Sequence, residues 1–169
     1  MEIINKRRSV RKYLNKKIEK ENIELILRAA MQAPSARNQQ PWRFLVCENK
    51  ENLLKLSQAT PNMKFLDDAP LAIIFLTDLT NLKTPQMYPQ DLSASIQTAM
   101  LEAASLNIGS CWCGTYPNSE RMQKVSEIFN LNDELEPFAV VAFGYPENEE
   151  DIKFVDRFDE EKVFYEKVK

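Results

Sequence analysis

Leu71-Ala72-Ile73-Ile74-Phe75-Leu76-Thr77 is an apolar run of strand length with no polar residue before its last position. It shows neither the alternation of a half-buried strand nor the spaced stripe of a surface helix. A run of this kind reads as a central strand covered on both faces, so helical layers are expected on each side of a sheet. The neighbouring segments supply those layers. Upstream, a short basic helix is expected around Ile3 to Tyr13. A second runs from Lys20 to Ala33, where Ile23, Ile26, Leu27, Ala30 and Met31 form an i, i+3, i+4, i+7, i+8 stripe ended by Pro34. Arg43–Glu48 reads as a strand and Glu51–Ala59 as a short helix. Downstream, the longest helix is expected to open at Asp91 as its N-cap and close at Gly109, with Leu92, Ile96, Ala99, Met100 and Ala103 inward. Cys111–Tyr116 reads as a strand. Asn118 or Ser119 caps a helix that turns Met122, Val125, Ile128 and Phe129 inward, and Phe138–Gly144 is the last strand. The tail beyond Tyr145 reads as extended. Four strands and about five helices in this order predict an α+β fold.

The chain has 169 residues, 44% hydrophobic and 28% charged, with 22 Lys+Arg against 25 Asp+Glu. This fits a single domain over residues 1–169 with one ordinary core and excludes disordered and collagen-like classes. No apolar run approaches the roughly 20 residues that span a bilayer, and the basic N-terminus lacks the apolar segment of a secretory signal. Three cysteines cannot all pair. A reduced, cytoplasmic protein with no membrane partner is therefore expected. Two absences narrow the chemistry. Without histidine there is no His-based triad, no His zinc site and no histidine general base. With only Gly109, Gly114 and Gly144, no glycine-rich loop can cradle a phosphate through backbone amides. A phosphorylated ligand would have to be held by side chains, arginine above all.

Lys6-Arg7-Arg8-Ser9-Val10-Arg11-Lys12 is the densest basic stretch, with no acid in it. It is either a solvated end or an anion pocket. The acidic overall balance argues against nucleic acid as the partner. Ala33-Pro34-Ser35-Ala36-Arg37-Asn38-Gln39-Gln40-Pro41-Trp42 sets hydroxyl and amide side chains between two prolines, either as a plain helix-to-strand connection or as a surface matching the donor and acceptor edge of a heterocycle. Cys111-Trp112-Cys113 is one residue short of the redox C-x-x-C motif and reads as buried, inert cysteine. No metal site is expected. The small residues Ser93, Ala94, Ser95, Thr98, Ala104 and Ser105 make the long helix approachable from more than one side, either as a core helix or as one shared with a symmetric partner.

RRSVR at Arg7–Arg11, APSARNQQPWRF at Ala33–Phe44, LNIGSCWCG at Leu106–Gly114, FGYP at Phe143–Pro146 and DRFDEEKVFYEK at Asp156–Lys167 together resemble the FMN-dependent nitroreductase family in order and spacing over nearly the whole chain. The resemblance implies an α+β sandwich with a central mixed sheet flanked by helices, as an intertwined homodimer with shared active sites and a C-terminal arm wrapping the partner. Position by position it implies that Arg7, Arg8, Ser9 and Arg11 hold the FMN phosphate and pyrimidine edge. Pro34, Ser35, Ala36 and Asn38 match the loop reaching the same flavin from the other subunit. Asn62 and Lys64 fall near the ribityl and ring-edge contacts, Trp112, Cys113 and Gly114 match the segment under the flavin, and Arg157 matches a C-terminal phosphate contact. Val155 stands where many relatives have a second basic residue, Cys113 replaces a larger one, and Asn107 replaces a common glycine.

The implied activity is an oxidoreductase with bound FMN. NADH or NADPH would reduce the flavin and be replaced by a small-molecule acceptor such as a nitroaromatic or quinone, in ping-pong order, with no protein residue as the chemical catalyst. A flavin enzyme acting on an enone or imine is the alternative within the same fold. A non-catalytic module binding anions or nucleic acid through Arg7–Lys17 is the alternative outside it.

Overall fold

The computed structural model describes residues 2–168. The elements are α1 (Glu2–Lys6), α2 (Lys20–Met31), β1 (Trp42–Cys47), α3 (Lys50–Ala59), β2 (Leu71–Asp78), α4 (Tyr88–Ser105), β3 (Gly109–Gly114), α5 (Ser119–Phe129) and β4 (Leu135–Gly144), with short 3-10 turns between several of them. The sheet order is β1-β2-β4-β3.

Every residue of β2 is buried, as its unbroken apolar run requires. Leu71, Ile73 and Phe75 face one core with α2 and α4, and Ala72, Ile74 and Leu76 face a second with α3 and α5. β4 divides in the same way, with Val141 and Phe143 on the first face and Val140 and Ala142 on the second. Each large side chain buried here contributes about 1.5–3 kcal/mol relative to exposure. The α2–α4 contact is close because small residues line it, and the buried Ser95 hydroxyl donates to the Ala30 carbonyl at 2.9 Å.

Four expectations need correction. The named strands pair antiparallel throughout, so the sheet is not mixed; the one parallel pairing among the described residues is an isolated bridge between Ser9 and Ser110. The first helix stops at Lys6 and does not reach Tyr13. Beyond it the chain is extended across the ends of β3 and β4, with Val10 N–H donating to Ser110 C=O and Leu14 N–H to Tyr145 C=O, both at 2.9 Å. Two glycines allow this. A Cβ on Gly109 would lie 2.8 Å from Val10 Cβ, and one on Gly144 would lie 2.6 Å from the Tyr13 ring. Sheet contacts thus override a helix-compatible sequence.

The long helix opens at Tyr88, and Asp91 lies in its first turn without capping it. It closes before Gly109. Asn107 takes a left-handed φ of 57°, while its N–H donates to Ala104 C=O and that of Ile108 to Ala103 C=O. Asparagine tolerates this conformation better than most residues and completes a Schellman-type stop without glycine. Asn118 does cap α5, accepting from Arg121 N–H at 3.0 Å. Past β4 the tail carries two 3-10 turns and is otherwise irregular, with Phe158 75% and Tyr165 87% exposed. Among the described residues, no helix is long and apolar enough to cross a membrane.

Candidate active site

The extended N-terminal segment brings Arg7, Arg8, Ser9 and Arg11 to the free side of β3, and the tail brings Arg157 to meet them. These five, with Glu150 and Asp151, line a cavity of about 430 Å³. Arg8 Nη1 donates to the Lys153 carbonyl at 2.6 Å, which ties the segment to the tail. The Arg7 guanidinium is held below its usual pKa, first by burial and then by the like charges of Arg157 and Arg8. Among the described residues none of the four arginines forms an ion pair, and Glu150 is paired with Lys153 instead. Crowded guanidiniums that form no ion pair, although Glu150 and Asp151 border the cavity, suit a multiply charged anionic ligand, and guanidinium forks are the donors that match phosphate. The phosphate end of FMN fits this donor set.

The strand beside the cavity supplies a second type of donor. Ser110 C=O points off the free edge of β3, toward Val10. By the two-residue period of a strand, Trp112 and Gly114 present backbone N–H groups off the same edge. Nothing lies within 4 Å of where a Gly114 Cβ would be, and the Gly114 carbonyl accepts from Arg121 Nη1 at 3.3 Å. Cys113 is buried beneath it and its thiol donates to the Asn62 carbonyl at 3.8 Å, which places the 3-10 turn Pro61–Asp67 next to β3. Asn62 and Lys64 are exposed on that turn. The neighbouring Cys113 thiol lowers Cys111 against the effect of burial, and Arg11 acts in the same direction. Cys113 is raised correspondingly. The arginine cavity and β3 are thus one neighbourhood.

Pro34, Ser35, Ala36 and Asn38 lie elsewhere. Their loop packs at the start of α4, where Asp91 accepts from Ala36 N–H at 2.9 Å and from Gln39 Nε2 at 2.6 Å. The arginine cavity adjoins Ala104, Asn107 and Ile108 at the other end of the same helix through Arg7 and Arg8. At 1.5 Å per residue, Asp91 and Ala104 are about 20 Å apart along the axis. One chain therefore does not bring these residues together.

The loop is tightly wound, with positive φ at Arg37, Asn38 and Gln40. Non-glycine residues held there store about 1–3 kcal/mol each, and such conformations collect at functional sites. Gln39 does not offer its amide to a heterocycle, as the polar character of the loop suggested. It is buried and its amide is used internally, Nε2 donating to Thr84 C=O as well as to Asp91 and Oε1 accepting from Thr84 N–H at 2.9 Å. Ser35 Oγ accepts from Gln40 N–H and Asn38 Oδ1 from Gln40 Nε2. The Ser35 hydroxyl proton and the Asn38 amide hydrogens remain to face outward. Sequence reading missed Gln39, Thr84 and Asp91 as a unit. Its only local signal was an acid one turn into a helix that Pro89 already starts.

The sequence and the fold both have close counterparts. Residues 4–145 match the model of the nitroreductase family. A protein of Archaeoglobus fulgidus, provisionally named a NADH dehydrogenase/NAD(P)H nitroreductase, is 41% identical over 99% of this chain and 97% of its own length. A solved structure from Clostridium acetobutylicum, provisionally named a NADH oxidase, superposes with a TM-score of 0.95 at 49% identity, covering 98% of this chain and 99% of its own. An FMN-dependent nitroreductase from Clostridium difficile R20291 superposes at 0.89 with 29% identity, covering 98% of each chain. With sequence and fold agreeing over almost its full length, the chain belongs to the nitroreductase family.

Proposed function

We propose that this chain is an NAD(P)H-dependent flavin oxidoreductase that holds FMN and passes reducing equivalents to a planar acceptor such as a nitroaromatic or a quinone. The observation that carries this reading is the cavity lined by four arginines, none of which forms an ion pair among the described residues. Each charged hydrogen bond to phosphate there contributes on the order of 1.5–3 kcal/mol. Arg7, Arg8, Ser9, Arg11 and Arg157 bind the phosphate and the adjoining edge. The Trp112 and Gly114 N–H groups donate to the ring edge, Cys113 packs beneath it, and Asn62 and Lys64 border the ribityl side. When bound, FMN supplies hydride acceptance and delivery, so the protein needs no histidine. Its own residues orient the ring and keep the phosphate neutralised.

The separation along α4 supports a composite site. Pro34, Ser35, Ala36 and Asn38 of one protomer would approach the arginine cavity of its partner across a two-fold axis. The exposed Phe154, Phe158, Phe164 and Tyr165 of the tail are apolar surface that a second copy would cover. One flavin face serving donor and acceptor in turn predicts ping-pong kinetics.

The test is cofactor content. Heat-released flavin run against standards should show about one FMN per chain and no FAD. Colourless protein that takes up no added FMN sinks the proposal.

A further inference from the structure

Asp91 is a carboxylate in the first turn of α4, 4% exposed, and no ion pair of the described residues includes it. A buried carboxylate without a cation persists only where hydrogen bonds compensate for lost hydration. Here both oxygens accept from a single loop, Oδ1 from Ala36 N–H and Oδ2 from Gln39 Nε2. Gln39 extends the contact to Thr84 through both ends of its amide. Three stretches distant in sequence are therefore fastened to one carboxylate: the loop before β1, the connection from β2 to α4, and α4 itself.

The polarity of this cluster permits one arrangement. Thr84 offers a backbone N–H to Gln39 Oε1 and a backbone C=O to Gln39 Nε2, so the Gln39 amide cannot flip without opposing like groups at both contacts. With its orientation set, Gln39 presents a donor toward α4, and Ala36 presents a second. Position 91 must then accept at both of its terminal atoms, which a carboxylate does and an amide, whose second terminal atom is an NH2 donor, does not. The loop so held includes the positive-φ residues Arg37, Asn38 and Gln40. Local bonds close the turn, Asn38 N–H to Ser35 C=O and Gln39 N–H to Ala36 C=O, and the hydrogen bonds from Ala36 and Gln39 to Asp91 fasten it to α4 on both sides of Arg37 and Asn38.

We infer that Asp91 is a positioning residue for the flavin-facing loop. Its carboxylate, acting through Ala36 and Gln39, holds Ser35 and Asn38 in the conformation that meets the flavin. Through Thr84 it also makes the connection before α4 move with that loop. The second half of this inference rests on the flavin reading above, while the anchoring itself does not.

The experiment uses hydrogen exchange by mass spectrometry together with the rate of FMN release on dilution of the holoenzyme. In Asp91→Asn, the amides of Ala36 and Gln40 should exchange at least tenfold faster, with those of β2 unchanged, and FMN should leave about tenfold faster. Adding Gln39→Glu restores a donor-to-acceptor match at two of the three contacts of the side chain at 39. The double variant should therefore recover most of the loop protection, a non-additivity that a merely packed residue would not show. Should Asp91→Asn fail to fold, Gln39→Leu removes the bonds to Asp91 Oδ2 and to Thr84 while leaving Ala36 N–H on Asp91, and should speed exchange at Thr84 and Gln40 with β2 unchanged. Unchanged loop exchange, or equal acceleration in the loop and β2, overturns the anchoring. A loosened loop with unchanged FMN release overturns the positioning role. If the wild type holds no flavin, the flavin reading fails, and the exchange comparison still decides whether Asp91 anchors the loop.

Discussion

The arginine cavity and the loop 33–42 are both polar, both at the surface and both built from residues uncommon in a core, yet they are opposite in construction. In the cavity, like charges crowd together, and Arg7 is depressed by burial and by its cationic neighbours. In the loop, Gln39 is matched at both ends of its amide and Asp91 at both oxygens. Unmatched charge marks a surface completed by a ligand. Matched polarity marks a surface that must keep its shape before a ligand arrives. A cofactor site needs both, and this chain places them at opposite ends of α4.

The contrast breaks most sharply at Arg8. Arg8→Glu puts an anion into the cavity and removes the bond to Lys153, so FMN affinity should fall at least about a hundredfold, roughly 3 kcal/mol or more. Circular dichroism should stay unchanged while bound flavin disappears; retained flavin would return the basic stretch to a solvated end.

Next in size is complementation between the two regions. Ser35→Trp damages the loop, and Arg8→Glu damages the cavity. A tandem-purified dimer with one variant per chain should recover about half the wild-type flavin and activity, because two-fold symmetry collects both lesions at one site and leaves the other intact. A mixed dimer as empty as its parents would mean that each site is built within one chain.

The attachment of the cavity segment to the sheet gives a smaller effect. Gly144→Val drives methyl groups into the Tyr13 ring, so thermal unfolding should show a loss of about 1–3 kcal/mol. Gly114→Ala, with nothing within 4 Å, should stay within about 0.5 kcal/mol. Equal losses at both glycines would contradict the close approach at Gly144.

The smallest effect concerns the link between that segment and α2. Hydrogen bonding from Tyr145, with Lys16 adding to it, lowers Glu19 to about 2. A carboxyl depressed below its ordinary value of 4.5 contributes stability that is present above about pH 4.5 and lost as pH falls through about 2. Glu19→Gln should therefore flatten slightly the acid side of the thermal stability curve, between about pH 4.5 and 2. An unaltered curve would mean that the Glu19–Tyr145–Lys16 contact is screened out by solvent.

Much of the frame was legible from local pattern. The unbroken run Leu71–Thr77 required two covered faces, and the stripe of α2 and the cap at Asn118 are short-range signals that the structure keeps. Met31 closes the predicted stripe but is exposed at the helix end, while Ala30 beside it is fully buried. What was not legible depends on distant partners. Nothing near Arg7–Tyr13 announces that β3 and β4 end in glycines that accept it as an extended strap. Nothing near Asp91 shows that its carboxylate serves a loop more than fifty residues earlier.

The sequence by itself determined the α+β class, the central strand, the lack of a glycine-rich phosphate loop and the family motifs, because apolar period, residue clustering and motif spacing are properties of adjacent residues. Only the tertiary structure decided the antiparallel sheet, the extended N-terminal strap, the internal use of Gln39 and the distance between the arginines and the loop. Each of these is set by which long-range hydrogen bonds and van der Waals contacts can be made at the same time, and a hydrogen-bond donor does not specify its acceptor until the chain has folded.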